Sequence, residues 1–206
     1  MIENNYILIT GAAGSIGSEL VRQLVDKNKV YCLDTNETAL FDLVEELRLE
    51  GKELEWRVGD IKDKTMLDGL FLKHWLPNLI FHAAAYKHVT PMEMNPEEAV
   101  KTNVLGTFNV IELAKKHSSR LINISTDKAV DPKSVMGMTK RIGEIMVKNA
   151  GFISVRFANV LGSRGSVIPI WQKQVDEGKP LTITHPDMER YFMTIPQAVS
   201  LVISAA

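Results

Sequence analysis

The chain has 206 residues, 45% hydrophobic and 24% charged, which supplies enough apolar material for one sizeable core. Its net charge of -1 gives no electrostatic case for binding nucleic acid or an anionic membrane surface. The single cysteine, Cys32, excludes an internal disulfide, and no apolar run approaches the roughly 20 residues needed to cross a bilayer. No signal peptide opens the chain, so we expect a soluble cytoplasmic protein without a membrane segment.

Strand and helix patterns alternate along the chain. Apolar, β-rich runs predict strands over residues 6–10, 29–34, 53–58, 79–83, 121–124, 152–156 and 181–184. Amphipathic patterns predict one helix after Gly17 and further helices over residues 38–49, 96–116, 135–148 and 168–177. This alternation, without repeats or low-complexity tracts, predicts an α/β fold with a doubly wound parallel sheet.

A glycine-rich turn joins the first strand to the first helix. Its sequence is Gly11-Ala-Ala-Gly-Ser-Ile-Gly17, and Leu20, Val21, Leu24 and Val25 follow on the apolar helix face. Glycines let the backbone approach a pyrophosphate closely, and free N–H groups at a helix start attract its charge. The pattern alone is weak evidence, but its context favours a dinucleotide site. The predicted contacts are Gly11, Gly14, Ser15, Ile16 and Gly17.

Carboxylates end the second and third strands. Asp34 lies about 20 residues beyond the middle glycine, where the ribose diol of an adenosine would bind. A carboxylate there favours NAD over NADP because it would repel a 2′-phosphate, although capping of the next helix is an alternative. Asp60, followed by Ile61, could accept a hydrogen bond from an adenine amino group or cap the helix after it.

The fourth strand continues into a run of small and polar residues. Ala83, Ala84 and Ala85 leave room for a cofactor to pass close to the backbone. Lys87 and His88 could contact a sugar or phosphates, although a surface lysine and a helix-capping histidine are simpler explanations. Further on, Asn103 is an amide on an otherwise apolar helix face. It needs a hydrogen-bond partner, which could be backbone or ligand.

An acid and a base stand side by side after the fifth strand. That strand delivers Thr126, Asp127 and Lys128 to the carboxyl edge of the sheet, where open α/β sheets bind ligands. A loop and a helix carrying Lys140 follow. Neighbouring acid and base groups suit chemistry in which protons enter and leave adjacent carbons. A surface ion pair is the alternative for Asp127 and Lys128.

Residues 157–169 break the helical and strand periodicity, and loops at this sheet edge commonly carry specificity. Asn159 offers donors and an acceptor, and Arg164 between two glycines could clamp a phosphate or be a solvated arginine. Val167 is a further candidate contact at the start of a helix. Arg190 precedes an apolar segment and could stack on or neutralise a nucleotide diphosphate. No metal site is predicted.

Six segments together resemble one family: residues 10–17, 59–61, 82–88, 125–128, 156–166 and 184–194. They resemble the nucleotide-sugar 4,6-dehydratases of the extended short-chain dehydrogenase/reductase superfamily, in the polysaccharide-biosynthesis branch that acts on UDP-N-acetylglucosamine. The match runs nearly end to end, and the segments Ser-Thr-Asp-Lys and Arg-Tyr-Phe-Met-Thr are specific to that branch. The resemblance implies a Rossmann-like fold, NAD, a UDP-sugar substrate and a homo-oligomer. Residues 1–156 would form the NAD-binding domain with the catalytic segment, and residues 157–206 a partial substrate-binding region of the same body.

Two departures from the family pattern bear on activity. Most of the superfamily has a tyrosine four residues before the helix lysine, whereas this chain has Met136 ahead of Lys140. Methionine cannot exchange a proton, and this position resembles the methionine-bearing subgroup typified by large membrane-anchored dehydratases. The chain also stops at Ala206, where family members continue, so we expect a truncated catalytic domain.

The resemblance also implies a mechanism. NAD would take a hydride from C4 of the sugar, Lys128 would remove the C5 proton, and a protonated Asp127 would assist loss of the C6 hydroxyl as water. Thr126 would hydrogen-bond the C4 oxygen, and Lys140 would hold the nicotinamide ribose. Both members of the acid–base pair would need pKa values pushed towards neutrality. The alternatives are a UDP-sugar 4-epimerase, which needs no acid at C6, and a catalytically silent NAD- and UDP-sugar-binding module.

Overall fold

The structure is a computed structural model that describes residues 2–71, 76–183 and 185–206. In chain order the elements are β1 Tyr6–Thr10, α1 Ser15–Leu24, β2 Lys29–Asp34, α2 Glu37–Leu49, β3 Glu55–Val58, α3 Lys64–Asp68, β4 Leu79–His82, α4 Val89–Met94, α5 Pro96–Val100, a π-helical segment Lys101–Gly106, α6 Thr107–Lys116, β5 Arg120–Thr126, a 3-10 turn Asp127–Ala129, α7 Val135–Asn149, β6 Ile153–Phe157, β7 Asn159–Val160, α8 Val167–Asp176, β8 Phe192–Met193 and α9 Ile195–Ser204.

Among the described residues, six strands form one parallel sheet in the order β3-β2-β1-β4-β5-β6. The chain runs outward from β1 in one direction, then returns to β4 and runs outward in the other. The crevice between the carboxyl ends of β1 and β4 is therefore the switch point at which such sheets bind ligands. The prediction of a doubly wound parallel sheet is confirmed.

Helices cover both faces of the sheet because its central strands are apolar on both sides. On β1, Ile7 and Ile9 pack into the core beneath α1, α2 and α9, while Leu8 points into the core beneath α3, α6 and α7. All three side chains are fully buried. The continuous apolar run that predicted this strand is the pattern that burial on two faces requires.

One predicted strand is wrong. Residues 181–183 form no strand, and Thr184 lies outside the described residues. The Thr182 backbone carbonyl instead accepts a hydrogen bond from Trp171 Nε1 at 2.8 Å, and its N–H donates to Gln174 Oε1 at 3.1 Å. This segment is therefore held by side chains of α8 rather than by a neighbouring strand.

The helical pattern over residues 96–116 is interrupted by the π-helical segment Lys101–Gly106. The wider turn shifts the face presented to the core. Val100 and Phe108, which are apolar positions of this helical pattern, are exposed, whereas Asn103, Thr107 and Asn109 are buried. The predicted long helix is thus present as three consecutive helical pieces with a different buried face.

Part of residues 157–206 packs into the core of the sheet. Helix α9, which was not predicted, buries Val199 and Val202 in the same core as Leu20 and Val21 of α1. Helix α8, by contrast, has no buried residue. No helix within the described residues is both long and apolar enough to cross a membrane.

His82, at the end of β4, is a buried link between the sheet and the helix after the π-helical segment. Its Nδ1 lies 2.7 Å from Thr10 Oγ1, and its Nε2 lies 3.0 Å from Thr107 Oγ1. Thr107 donates its hydroxyl proton to the Asn103 carbonyl at 2.8 Å. It therefore accepts from Nε2–H, which assigns a neutral imidazole whose Nδ1 accepts from Thr10.

Burial, reinforced by the charge of Lys140, lowers the pKa of His82 to about 3. An unfolded chain would protonate this histidine below about pH 6.5, so the free energy of unfolding should fall as the pH falls through that value. Between about pH 7 and about pH 5, we expect the wild type to lose roughly 1–2 kcal/mol more stability than His82→Asn. Urea unfolding at the two pH values measures this difference.

The matched control for this prediction is His185→Asn, because His185 is exposed. It should keep the pH dependence of the wild type. An equal loss of stability in the wild type and in His82→Asn would show that His82 is not held neutral.

Candidate active site

A cavity of about 240 Å³ lies at the switch point of the sheet. Its walls come from the turns after β1, β2, β3 and β4 and from the loop before α8. The lining residues are Gly11, Ala13, Gly14, Leu33, Asp34, Thr35, Asn36, Gly59, Asp60, Ile61, Ala83, Ala84, Ala85, Tyr86, Thr102 and Arg164. A larger cavity of about 530 Å³ is lined by Lys29, Val30 and Trp56 among others, and includes the amino-terminal end of β2. That is the opposite sheet edge from the one at which open α/β sheets hold their ligands.

The glycine turn leaves no space for a side chain at Gly11 or Gly17. Gly11 has a φ of +69°, and a Cβ built on it would lie 2.5 Å from the Ala84 backbone nitrogen. A Cβ on Gly17 would collide with the Gly11 carbonyl. Helix α1 begins at Ser15, and no side chain caps its amino end. The turn therefore offers backbone N–H groups at close range, as a diphosphate requires.

Neither strand-end carboxylate caps a helix, which removes the capping alternative for Asp34 and Asp60. Asp34 Oδ2 accepts from the Ala13 N–H at 2.9 Å and its Oδ1 accepts from the Asn36 N–H at 2.9 Å. Asn36 itself caps α2. Asp60 Oδ1 accepts from the Lys62 N–H at 2.9 Å, while Asp63 caps α3. Both carboxylates line the cavity, as a ribose-binding and an adenine-binding residue would.

Three of the remaining predicted cofactor contacts are the alanines of the loop after β4. This loop lies against the glycine turn, with the Ala83 N–H donating to the Thr10 carbonyl at 3.0 Å. Ile61 is buried under Gly106 and also borders the cavity, whereas Ile16 packs towards the core. The glycine turn, the small alanines and the Asp34 carboxylate together fit a dinucleotide.

The acid and base of the central stretch are in direct contact. Lys128 Nζ lies 3.0 Å from Asp127 Oδ1 and donates to Asn159 Oδ1 at 2.9 Å. Thr126 Oγ1 donates to Asp127 Oδ1 at 2.8 Å. The structure thus joins four predicted site residues into one hydrogen-bonded cluster, hereafter the Asp127 cluster. The side chains of Asp127 and Lys128 remain accessible, with 45% and 38% of their surface exposed.

The expectation that Asp127 is protonated does not hold in this structure. Burial raises its pKa, but hydrogen bonds from Lys128 and Thr126 outweigh burial and leave the pKa below its ordinary value. Asp127 and Lys128 therefore form an ion pair. The sequence could not reveal this, because the balance depends on how far the pair is removed from water.

Lys140 lies one turn after Met136 on α7. Its Nζ donates to the Ile124 carbonyl of β5 at 2.6 Å. Burial lowers the pKa of Lys140 to about 8, against an opposing effect of Glu144. The carboxylate of Glu144 is buried and accepts from Arg156 Nε at 2.7 Å.

Met136 occupies a small apolar cluster with Met92 and Ala99. Only 2% of its surface is exposed. Its thioether therefore packs as a core side chain and has no proton to exchange. A direct catalytic role for this residue stays a prediction that the geometry does not test.

The side chain of Asn103 makes its hydrogen bonds within the protein. Its Oδ1 accepts from the Tyr86 N–H at 2.8 Å, and its Nδ2 donates to the Tyr86 carbonyl at 3.0 Å and to Thr139 Oγ1 at 3.1 Å. Both amide protons are thus used, and the residue is 1% exposed. The backbone alternative is the one observed, so Asn103 positions Tyr86 and α7 rather than offering a donor to a sugar.

Two further predicted substrate contacts, Lys87 and His88, lie in the loop after β4, close to Ser163 and Gly165. Lys87 Nζ lies 3.4 Å from Ser163 Oγ, and burial lowers the pKa of this lysine. His88 occupies the capping position of α4 without a capping hydrogen bond. Burial, followed by the charge of Lys87, lowers the pKa of His88.

Two predicted contacts lie on the surface and Arg164 lies at the cofactor cavity. Val167 is the first residue of α8 and is exposed. Arg190 is exposed and donates to the Glu189 carbonyl at 2.7 Å. Arg164 Nη1 donates to the Ala13 carbonyl at 3.1 Å, so this arginine contacts the glycine turn.

Sequence reasoning missed several cavity residues. Thr35, Asn36, Tyr86 and Thr102 all border the cavity. Thr35 and Asn36 directly follow Asp34, so their place after a strand end was the available signal. Thr102 lies on the π-helical segment, and no local sequence pattern predicted that segment. These residues extend the site from the glycine turn towards the π-helical segment.

Comparisons with known proteins place this chain. It is 46% identical to the capsular polysaccharide biosynthesis protein CapD of Staphylococcus aureus, over 99% of this chain and 36% of the relative. It is 34% identical to a UDP-glucose 4-epimerase of Rickettsia canadensis, over 100% of this chain and 63% of the relative. The chain thus spans about a third to two thirds of the length of these curated relatives.

A solved structure shares the fold of this chain. The X-ray structure of Pen from Bacillus thuringiensis superposes with a TM-score of 0.93 at 34% identity, covering 98% of this chain and 67% of that one. The family described as polysaccharide biosynthesis protein matches residues 7–206. The polysaccharide-biosynthesis part of the resemblance is therefore confirmed, and the chain belongs to the polysaccharide biosynthesis protein family.

Proposed function

We propose that this chain is the catalytic part of an NAD-dependent nucleotide-sugar 4,6-dehydratase, a lyase that acts on UDP-N-acetylglucosamine or a related UDP-hexose. The Asp127 cluster carries the proposal. Loss of water across C5 and C6 needs a base and an acid within reach of neighbouring carbons, and Lys128 and Asp127 are 3.0 Å apart at the sheet edge that bears the cofactor cavity.

NAD is the proposed cofactor, held by the glycine turn, Asp34 and Lys140. When bound, NAD supplies a group that accepts a hydride from C4 of the sugar and can return it to C6. Asp34 would accept hydrogen bonds from the adenosine ribose diol in place of the N–H groups it now binds. Lys140, partly deprotonated near neutral pH because burial lowers its pKa to about 8, would bond the nicotinamide ribose hydroxyls.

The ion pair of Asp127 and Lys128 differs by one proton transfer from the neutral acid and base that the reaction needs. Moving a proton from Lys128 Nζ to Asp127 Oδ1 along their hydrogen bond would give a neutral amine and a carboxylic acid. Substrate binding would exclude water from these accessible side chains, and exclusion of water penalises the charged forms. The neutral Lys128 would then remove the C5 proton and return it to C5 when C6 receives the hydride, and Asp127 would protonate the departing C6 hydroxyl. The proton lost from the C4 hydroxyl would restore the acid form of Asp127 by the end of the cycle.

The other members of the cluster would position the sugar. Thr126 Oγ1 lies next to Asp127 Oδ1 and would hydrogen-bond the C4 oxygen. Asn159 holds Lys128 Nζ from the opposite side, which fixes the direction in which the amine points. Met136 takes no part in proton transfer.

A UDP-sugar 4-epimerase is the second candidate, favoured by the name of the rickettsial relative that is 34% identical over the whole chain. Incubation of the chain with NAD and UDP-N-acetylglucosamine, or UDP-glucose, separates the two by mass spectrometry. Loss of one water from the sugar supports the dehydratase, and an isomer of unchanged mass supports the epimerase. Binding of NAD without turnover of either sugar would indicate a silent binding module.

We expect Lys128→Ala to reduce water elimination by roughly 10²–10⁴-fold, because the base that removes the C5 proton is lost. NAD affinity, measured by calorimetry, should not change. The matched control is Lys133→Ala, which removes an exposed lysine paired with the exposed Asp131. Turnover of Lys128→Ala within about threefold of the control would rule out Lys128 as the general base.

We also propose that the chain forms a homo-oligomer through an exposed apolar face on neighbouring helices. Its residues are Val100, Leu105 and Phe108 on the α5–α6 helical run and Met138, Ile142 and Ile145 on α7. The α7 residues recur at intervals of four and three, so they form one stripe. Contiguous exposed apolar surface of this kind is typical of protein interfaces.

Ile142→Glu should shift the chain towards monomer, because burying a carboxylate in an apolar interface is unfavourable. The measurement is molar mass by light scattering across a range of chain concentrations. Leu49→Glu is the control, since Leu49 is 88% exposed at the end of α2 and outside this face. A wild-type chain that is monomeric at all concentrations would contradict the proposal.

A further inference from the structure

Arg164 lies in a short loop that bridges two parts of the site. We name residues 162–166 the Arg164 strap. The Arg164 backbone N–H donates to Ser15 Oγ at 3.1 Å, and its Nη1 donates to the Ala13 carbonyl at 3.1 Å. Both partners belong to the glycine turn and the start of α1. The strap therefore crosses the cofactor cavity at the point where a diphosphate would lie.

The other side of the strap is held by the loop after β4. Ser163 Oγ lies 3.4 Å from Lys87 Nζ, and a Cβ on Gly165 would lie 2.7 Å from His88 Cε1. Gly162 and Gly165 have φ values of +70° and +68°, so glycines flank Arg164 on both sides. The positive φ of Gly165 and its close contact with His88 both favour a residue without a side chain at this position.

The partner of Arg164, rather than the net charge of the cavity, points to an anion beside this arginine. Asp34 and Asp60 are its acidic lining residues, and Arg164 is the sole Lys or Arg among the lining residues that the structure describes. Asp60 lies 3.4 Å from the ammonium group of Lys62, whereas the Arg164 guanidinium, among the residues that the structure describes, donates to the neutral Ala13 carbonyl. A diphosphate at the amino end of α1 would give this guanidinium an anionic partner.

We infer that Arg164 binds the diphosphate of the dinucleotide rather than that of the sugar nucleotide, and that the strap slows release of the cofactor. This inference rests on the cofactor of the proposed function. A dehydration that returns its hydride to the sugar leaves the cofactor unchanged, so the cofactor has no need to dissociate between turnovers. A strap over the diphosphate suits such a resident cofactor.

The test measures binding rather than turnover. We expect Arg164→Gln to weaken binding of NAD and of ADP-ribose by about 10- to 100-fold, since a charge-assisted hydrogen bond to an anion is lost. The rate of NAD dissociation in stopped-flow displacement should rise by a similar factor. Affinities for adenosine, which has no phosphate, and for UDP should stay unchanged.

Arg48→Gln is the matched control, because Arg48 is exposed near the end of α2 and pairs with Glu45. It removes the same charge from the chain without touching the cavity. Equal NAD affinity in Arg164→Gln and the control, a loss confined to UDP, or an equal loss for adenosine would each overturn the inference. Failure of the wild type to bind NAD would instead refute the cofactor of the proposed function.

Discussion

The close contact at Gly11 is the constraint on which the site depends. Its left-handed backbone conformation turns the chain sharply after β1, and the turn packs directly against Gly17 and Ala84. A side chain at Gly11 or Gly17 would force α1 or the loop after β4 away from the sheet. Because this contact leaves no slack, the amino end of α1 and the small alanines face the same cavity. That arrangement makes the switch point of the sheet a binding site rather than only a crevice.

A series of buried hydrogen bonds connects this turn to α7. Thr10, one residue before Gly11, bonds His82, which in turn bonds Thr107. Thr107 donates to the carbonyl of Asn103, whose side-chain amide reaches Thr139, the residue before Lys140. Every member is buried, and an unmet hydrogen bond there would cost roughly 1–3 kcal/mol. This network therefore fixes the position of α7 relative to the cofactor cavity. The π-helical segment places Asn103 where its side chain joins the network.

The sequence predicted the features that follow local rules. Six apolar runs became the strands of the sheet, and the glycine turn and Asp34 line the predicted cavity. Features that depend on distant contacts were not predictable. Arg164 bonds residues about 150 positions earlier in the chain, and a glycine-flanked arginine could equally have been solvated. The ionised state of Asp127 likewise reflects a balance between burial and hydrogen bonding that spacing along the chain does not encode.

The partner oxygens of Arg164, Lys128 and Lys140 fit the different roles that the proposed function gives these cations. Arg164 bonds a neutral carbonyl, so an anionic phosphate would be a stronger acceptor than the partner it replaces. Lys128 already faces the carboxylate of Asp127, so an incoming anion would gain little there. Exclusion of water would instead change the protonation state of Lys128. Lys140 falls between these cases, because its neutral partner and lowered pKa suit a hydroxyl. Under the proposed function, these three cations would have different roles because they differ in burial and in the charge of the oxygen that each one bonds.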